Sequence, residues 1–365
     1  MNAVITGFSV LGLAVLIHII LVSITLGTGW ISAFARLMAY REDDAYLEFF
    51  ARRVFKILVI FELFSGVWGT IITVFLAGFF PSLTALATNV LFTPILIALI
   101  GIMIRIPSIG IFWYTWGKVS PRYHSAIGMI MAVSGFAIPF GFRTIFAEIN
   151  HPTAVADYLA GVKVVAWNAY LNPTFWILYL HTIFAALSVG GFVVAYLMAM
   201  EKDKRGSRIG YRYGLVFLAV QIPIGIIYWA SLADSSPYIF STVTFGHFIP
   251  VLTAKVTVVL ALLVLSLMCF IKSDQEALNY AKYTAILSLT AVFLGELMNS
   301  GARYPYMVVT GEKGLLASDF FNFYIVMPMV AVTVIVAFLF VSIAVFLTAM
   351  FYALFKRYLP EIPEE

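Results

Sequence analysis

Apolar residues in this chain gather into long stretches separated by short polar connections. Nine stretches stand out, at roughly 10–38, 54–79, 90–114, 123–145, 176–199, 211–232, 247–271, 280–299 and 322–350. Each is near or above the ~20 residues an α-helix needs to cross about 30 Å of hydrocarbon. The pattern predicts an all-α polytopic membrane protein with nine transmembrane helices. Only the intervals 146–175 and 300–321 are long enough to fold over a surface, and neither makes a separate domain, so 1–365 is expected to form one membrane-embedded helical bundle. No internal repeat or low-complexity tract interrupts it.

Composition fixes the solvent. Residues of the AVILMFWYC class make up 62% of the 365 and charged residues only 11%, far from a soluble domain. The single cysteine, Cys269, lies inside an apolar run, so this chain alone builds neither a disulfide framework nor a thiolate-ligated iron–sulfur cluster. Met1-Asn2-Ala3-Val4-Ile5 lacks the basic region of a secretory signal, and the first apolar stretch is read as a retained span.

Loop charges orient the bundle. If nine spans alternate, Arg36, Arg41, Arg52, Arg53, Lys56, Lys118, Arg122, Lys202, Lys204, Arg205, Arg208, Arg212, Lys272, Lys282, Lys356 and Arg357 fall on one side, sixteen of the 22 basic residues. Arg143, Lys163, Arg303 and Lys313 fall on the other. The positive-inside rule then puts the N-terminus outside and the C-terminus inside. The net charge of +4 is a topology signal and calls for no nucleic-acid partner.

Against this background, ionisable residues within spans are candidate functional groups. At 1.5 Å per residue, His18 in the first span and His181 in the fifth both lie near ~10 Å below the outer surface. Lys255 in span seven and Glu296 near the outer end of span eight share that stratum. Two buried histidines on different helices suggest haem, since neutral imidazole is a standard axial ligand to iron. The bland alternative for each is a hydrogen bond to a neighbouring helix. In the inner half, Glu62 and Arg105 occupy equal depth on consecutive helices, as a buried ion pair or, for Glu62, a station on a proton route.

Other signals are weak. His124 is expected at an inner interface, His151 exposed in the outer segment, and His247 at the start of span seven. Gly66 and Gly69 lie close together in span two, where small residues allow tight helix contact. No phosphate-binding glycine loop, zinc-ligand spacing or nucleophile–base signature is present.

Two segments carry a family resemblance. The run Ile17-His18-Ile19-Ile20-Leu21-Val22-Ser23-Ile24-Thr25-Leu26-Gly27 resembles the first helix of subunit I of the cytochrome bd quinol oxidases, where a histidine is followed by an apolar stretch ending in Thr-Leu-Gly. Leu171-Asn172-Pro173 through His181-Thr182 is similar to the Leu-Asn-Pro…His-Thr that opens that subunit's fifth helix. The resemblance implies that His181 is an axial ligand of the low-spin b haem and that His18 is the axial ligand of a haem in the dioxygen-reducing pair. It implies one or more b haems, with haem d left open. It further implies a second oxidase subunit of the same or related fold, quinol as a possible substrate, and a prokaryotic plasma membrane.

The chain also departs from that family. Where the family has a methionine ligand two residues after an arginine in span seven, this chain reads Lys255-Val256-Thr257, so Lys255 is expected to serve haem propionates instead. The third span, Phe92 to Pro107, lacks the family's two glutamates. Ala302-Arg303-Tyr304-Pro305-Tyr306 keeps only the arginine and proline of Gly-Arg-Gln-Pro-Trp. The glutamate ligand that precedes this motif falls on Ser300, with Glu296 one turn earlier as the nearest substitute. The connection Ala233 to Tyr238 replaces a long outer loop. Two expectations follow: a haem-bearing oxidase subunit, or a diverged paralogue with partial or no haem that mainly supports a complete subunit I.

Overall fold

The computed structural model describes residues 3–271 and 274–322, with scattered positions from 330 to 348. Among these residues, eight helices are long and apolar enough to cross a membrane. They are α1 (Ala3–Glu42), α2 (Ala45–Phe79), α4 (Phe92–Tyr114), α5 (Pro121–Asn150), α7 (Phe175–Met200), α8 (Lys204–Ser235), α10 (Ile249–Ile271) and α11 (Asp274–Gly301). The ninth expected span, 322–350, falls for the most part outside the described residues.

Shorter elements occupy connections that hydropathy alone leaves blank. The helix α3 (Pro81–Val90) bridges α2 and α4, α6 (Ala154–Leu159) and a 3-10 turn (Ala166–Leu171) fill the interval before α7, and α9 (Pro237–Thr244) joins α8 to α10. Among the described residues, the one departure from an all-helical chain is an antiparallel hairpin, β1 (Tyr306–Thr310) and β2 (Lys313–Leu316), followed by α12 (Ala317–Phe320). Gly311 makes its turn at φ +73°, a conformation that suits glycine. Proline opens α3, α5 and α9 at the first helical turn, where a missing N–H costs nothing.

The first helix is the hub. It packs against α2, α5, α7 and α11, while α4 pairs with α5, α7 with α8, and α10 with α11. Where α1 crosses α7, a Cβ on Gly27 would lie 2.6 Å from the Gly190 Cα, so the two backbones can meet only because both residues are glycine. Leu63, Met103, Ile227 and Leu260 point outward, as side chains facing lipid do.

We call the end where α1 begins the upper end. The lower end is closed by paired charges. Asp44 caps α2 through the Tyr46 and Leu47 amides at 2.9 and 3.2 Å, and its ion pair with Arg205 holds its carboxyl below the usual range. Asp203 caps α8 and accepts from Tyr46 Oη at 2.7 Å and Arg53 at 2.8 Å. His124, expected at an interface, is buried instead. Its Nδ1 accepts from Arg36 Nε at 3.0 Å and its Nε2 lies 2.9 Å from the Phe112 carbonyl, so the tertiary fold turns an apparent boundary residue into a tie between α1, α4 and α5.

At the upper end, Glu148 is fully buried and fixes the interval before α7. It accepts from the amides of Thr153 (2.9 Å) and Val155 (3.0 Å), from the Thr153 hydroxyl, and from Asn172 Nδ2 (3.2 Å). Asn172 in turn takes the Thr174 amide and hydroxyl at 3.0 and 2.8 Å, which sets the start of α7. His151, read as exposed, is half-buried and bonds the Ser235 carbonyl.

Candidate functional site

His18 lies on α1 against α2. Its Nδ1 is 3.0 Å from the Ser65 carbonyl. A carbonyl only accepts, so Nδ1 carries the proton and Nε2 keeps its lone pair, the tautomer that a carbonyl bonded to the other ring nitrogen enforces on metal-binding histidines. A Cβ on Gly69, one turn further along α2, would stand 3.2 Å from His18 Cε1, so glycine provides the space the ring occupies. A Cβ on Gly66, by contrast, would meet no atom within 4 Å among the described residues.

His181 lies on α7 against α8. Gln221 Nε2 is 3.3 Å from His181 Nε2, and the Tyr228 ring is 6.3 Å away and nearly parallel. Between them a Cβ on Gly225 would stand 2.9 Å from His181 Cε1. The buried Nδ1 has no hydrogen-bond partner among the described residues. An imidazole kept for packing uses both ring nitrogens, because an unmatched buried polar atom costs on the order of 1–3 kcal/mol. Lys255, on α10, lies in the same way against a glycine of α11: its Nζ is 2.7 Å from where a Gly295 Cβ would be.

Glu296 on α11 sits within a buried polar network. Ser300 Oγ and Asn299 Nδ2 donate to its Oε1 at 3.0 and 3.2 Å, and Arg143 Nη1 approaches its Oε2 at 3.7 Å. Asn150 joins Asn299 (3.3 Å), the Tyr228 hydroxyl (3.4 Å) and Arg303 Nη1 (3.3 Å). Burial lowers the Arg303 guanidinium to about 10, which leaves it charged at neutral pH. Arg143 Nη1 and Arg303 Nε lack hydrogen-bond partners among the described residues. Three cations, Arg143, Lys255 and Arg303, thus accompany one carboxylate, Glu296; the other buried carboxylate at this end, Glu148, is taken up by Thr153, Val155 and Asn172. Spare buried donors and an excess of positive charge suit an anionic group.

Glu62 and Arg105 meet directly. Arg105 Nε and Nη2 bond the two carboxylate oxygens at 2.7 and 2.9 Å, while its remaining donors reach the carbonyls of Thr25 (3.2 Å) and Met131 (3.1 Å). The pair therefore joins α1, α2, α4 and α5.

Of the residues singled out by sequence, the structure joins Glu296 and Arg303 through Asn299 and Asn150, sets Lys255 of α10 against Gly295 of α11, the helix that carries Glu296, and places His18 and His181 against separate neighbours, α2 and α8. Thr257 is exposed and its hydroxyl bonds the Thr253 carbonyl at 2.9 Å. His247 is also exposed. Sequence reasoning passed over Arg143, Asn150, Gln221 and Tyr228. Arg143 was legible: it lies inside the predicted span 123–145 yet was counted with the loop charges. Gln221, in the middle of the predicted span 211–232, was legible in the same way, whereas Asn150 and Tyr228 lie near helix ends, where polar residues are common, and only packing marks them.

A family model described as cytochrome bd terminal oxidase subunit I matches residues 9–240. Over 238 residues the chain is 24% identical to a protein of Bacillus subtilis (strain 168) named putative cytochrome bd menaquinol oxidase subunit I, covering 62% of this chain and 52% of that protein. It spans about half the length of that curated relative. The fold is similar to a chain in the structure of bd oxidase from Geobacillus thermodenitrificans, with a TM-score of 0.84, 16% identity, and coverage of 98% of this chain and 100% of that one.

Proposed function

The chain belongs to the cytochrome bd terminal oxidase subunit I family, and from that premise we propose that it is a haem-bearing subunit of a quinol oxidase, embedded in a prokaryotic plasma membrane with its N-terminus outside. His18, through Nε2, and His181 would hold the haem iron. The upper end of the bundle is the outer side, where quinol is oxidised and its protons are released. One observation carries the reading: two imidazoles on different helices are each fitted against a glycine, and the buried Nδ1 of His181 has no hydrogen-bond partner among the described residues.

Each residue has a role that follows from its position. The Ser65 carbonyl orients His18 and holds its proton on the far nitrogen. Gln221 and Tyr228 flank His181. Lys255 and Arg303 would pair with the carboxylates of a bound haem, and Glu296 would supply a protein carboxylate for that site. Bound haem b supplies one-electron chemistry, with its potential tuned by axial ligation and burial. Glu62 is an anchor of the helical frame, since its carboxylate is committed to Arg105.

A second reading has an observation of its own. Thr257, at the position of the family's methionine, is exposed with its hydroxyl bonded to Thr253, which favours a diverged paralogue with partial haem that supports a complete subunit I. A reduced-minus-oxidised spectrum of the purified chain with haem quantified separates the two. At least one b-type haem, lost on His181→Ala, is expected; a spectrum untouched by that substitution would refute the assignment. Oxygen consumption only when a partner is added would favour the paralogue.

A further inference from the structure

At the lower end, α8, α10 and α11 meet around a narrow cleft. Lys204, Ser207, Arg208 and Tyr211 line it from α8, at the spacing that puts side chains on one helix face, and Phe270 of α10 and Ala277 of α11 lie across from them. Its volume of about 10 Å³ admits one oxygen-sized group. Tyr211 Oη donates to the Ala277 carbonyl at 3.0 Å, whereas Ser207 is 2% exposed and its hydroxyl has no hydrogen-bond partner among the described residues. An idle buried hydroxyl is unfavourable, and this one shares its lining with two cations, Lys204 exposed and Arg208 half-buried. Asp203, beside them in sequence, is taken by Tyr46 and Arg53, and Glu276 is exposed and outside the lining. Just above the cleft the surface turns apolar. Val264, Leu267 and Ile271 of α10 are exposed, and α8 and α10 are the least buried of the eight spans.

We propose that this cleft binds the phosphate of an anionic phospholipid: one oxygen accepts from the Ser207 hydroxyl, Lys204 and Arg208 neutralise the headgroup, and the acyl chains lie on α10. Basic pockets between helices at a membrane face suit such headgroups. A free phosphate would use the cations and leave the apolar face bare; a neutral lipid would do the reverse. The inference does not depend on haem.

Thermal unfolding of the purified full chain in a non-ionic detergent tests it, with added phosphatidylglycerol, phosphatidylcholine of the same acyl chains, or inorganic phosphate. Phosphatidylglycerol is expected to raise Tm saturably, and the other two to leave it near the lipid-free value. Ser207→Ala should raise the half-saturating concentration about tenfold, since it removes a hydrogen bond to a charged group. Lys204→Gln and Arg208→Gln should each raise it about fivefold. Without lipid, Ser207→Ala should be as stable as the parent, because it deletes an idle hydroxyl, and it keeps the test valid if Arg208→Gln does not fold. Arg122→Gln, an exposed charge at the same end on α5, should change nothing.

No shift with phosphatidylglycerol, or an equal shift with phosphatidylcholine, would overturn the inference. Equal protection by inorganic phosphate would do so too, making the site one for the free ion. If Arg122→Gln weakens the response as much as Lys204→Gln, the attraction is diffuse surface charge and there is no site. A Ser207→Ala protein that is less stable without lipid yet responds like the parent would show the hydroxyl bonded to water, and the inference fails.

Discussion

Among the described residues, two arginine–glutamate pairs lie inside the bundle, and they are built in opposite ways. Arg105 and Glu62 are joined by two short bonds, and each nitrogen of the guanidinium reaches an acceptor. Arg143 and Glu296 stand 3.7 Å apart, with Arg143 Nη1 unmatched and two further cations nearby. A closed pair in a membrane core fastens helices together. An open pair is incomplete as structure and is suited to hold something else. The lower end of the bundle has a closed pair as well, Asp203 on Arg53 at 2.8 Å with Glu201 beside it, while Glu48 lies more loosely between Arg36 and Arg52 at 3.5 and 3.6 Å.

The largest expected effect tests the closed pair. Arg105→Leu leaves a largely buried carboxylate alone and should destabilise the protein by about 3–5 kcal/mol, reduced somewhat by the partial exposure of Glu62, whereas the double change Arg105→Leu with Glu62→Leu should cost much less. Thermal unfolding in detergent reads both, and equal losses would mean that the pair is not coupled.

Asn172→Ala is next. It removes four hydrogen bonds, leaving Glu148 and Thr174 short of partners, and should cost about 2–3 kcal/mol. Limited proteolysis within 151–174 should speed up accordingly; unchanged cleavage would show that this connection is held by other contacts.

Arg143→Leu should cost less stability than Arg105→Leu, on the order of 1 kcal/mol, because little protein hydrogen bonding is lost. If the two variants unfold alike, the open pair is as structural as the closed one, and the contrast disappears. Gly225→Ala should leave stability within about 1 kcal/mol while displacing the His181 ring, which a Cβ would meet at 2.9 Å. The band lost in His181→Ala is the band it should shift; a parent-like spectrum would place the haem away from α8.

The smallest effect concerns Tyr170. Its hydroxyl is buried without a partner among the described residues, and burial pushes the phenol up to about 12. Tyr170→Phe should be neutral or stabilising by up to about 1 kcal/mol. A clear loss of stability would reveal a bond to that hydroxyl.

Eight of the spans, and the polar residues that lie within them, were readable because the solvent is simple. A stretch of about 20 apolar residues has one stable fate in hydrocarbon, and a polar side chain within it must turn inward. That is why His18, His181, Lys255, Glu62, Arg105 and Glu296 could be named before any contact was known. The 3-10 turn and α6 before α7 were not readable, since the order there comes from Glu148, a carboxylate that looks exposed in sequence and is buried by chain segments folding back over it. His124 failed for the same reason: its neighbours in space, Arg36 and Phe112, are far away in sequence or across a turn.

Sequence alone determined the medium, the helices long enough to span it, and which side chains are out of place among apolar neighbours, because each of these depends on local composition and the fixed rise of a helix. Tertiary structure alone decided how those side chains are used. Whether an arginine is matched or left with an idle donor, and whether a histidine meets a glycine or a carbonyl, depends on which helices cross and where. Those crossings are set by contacts such as Gly27 on Gly190, which join residues distant along the chain.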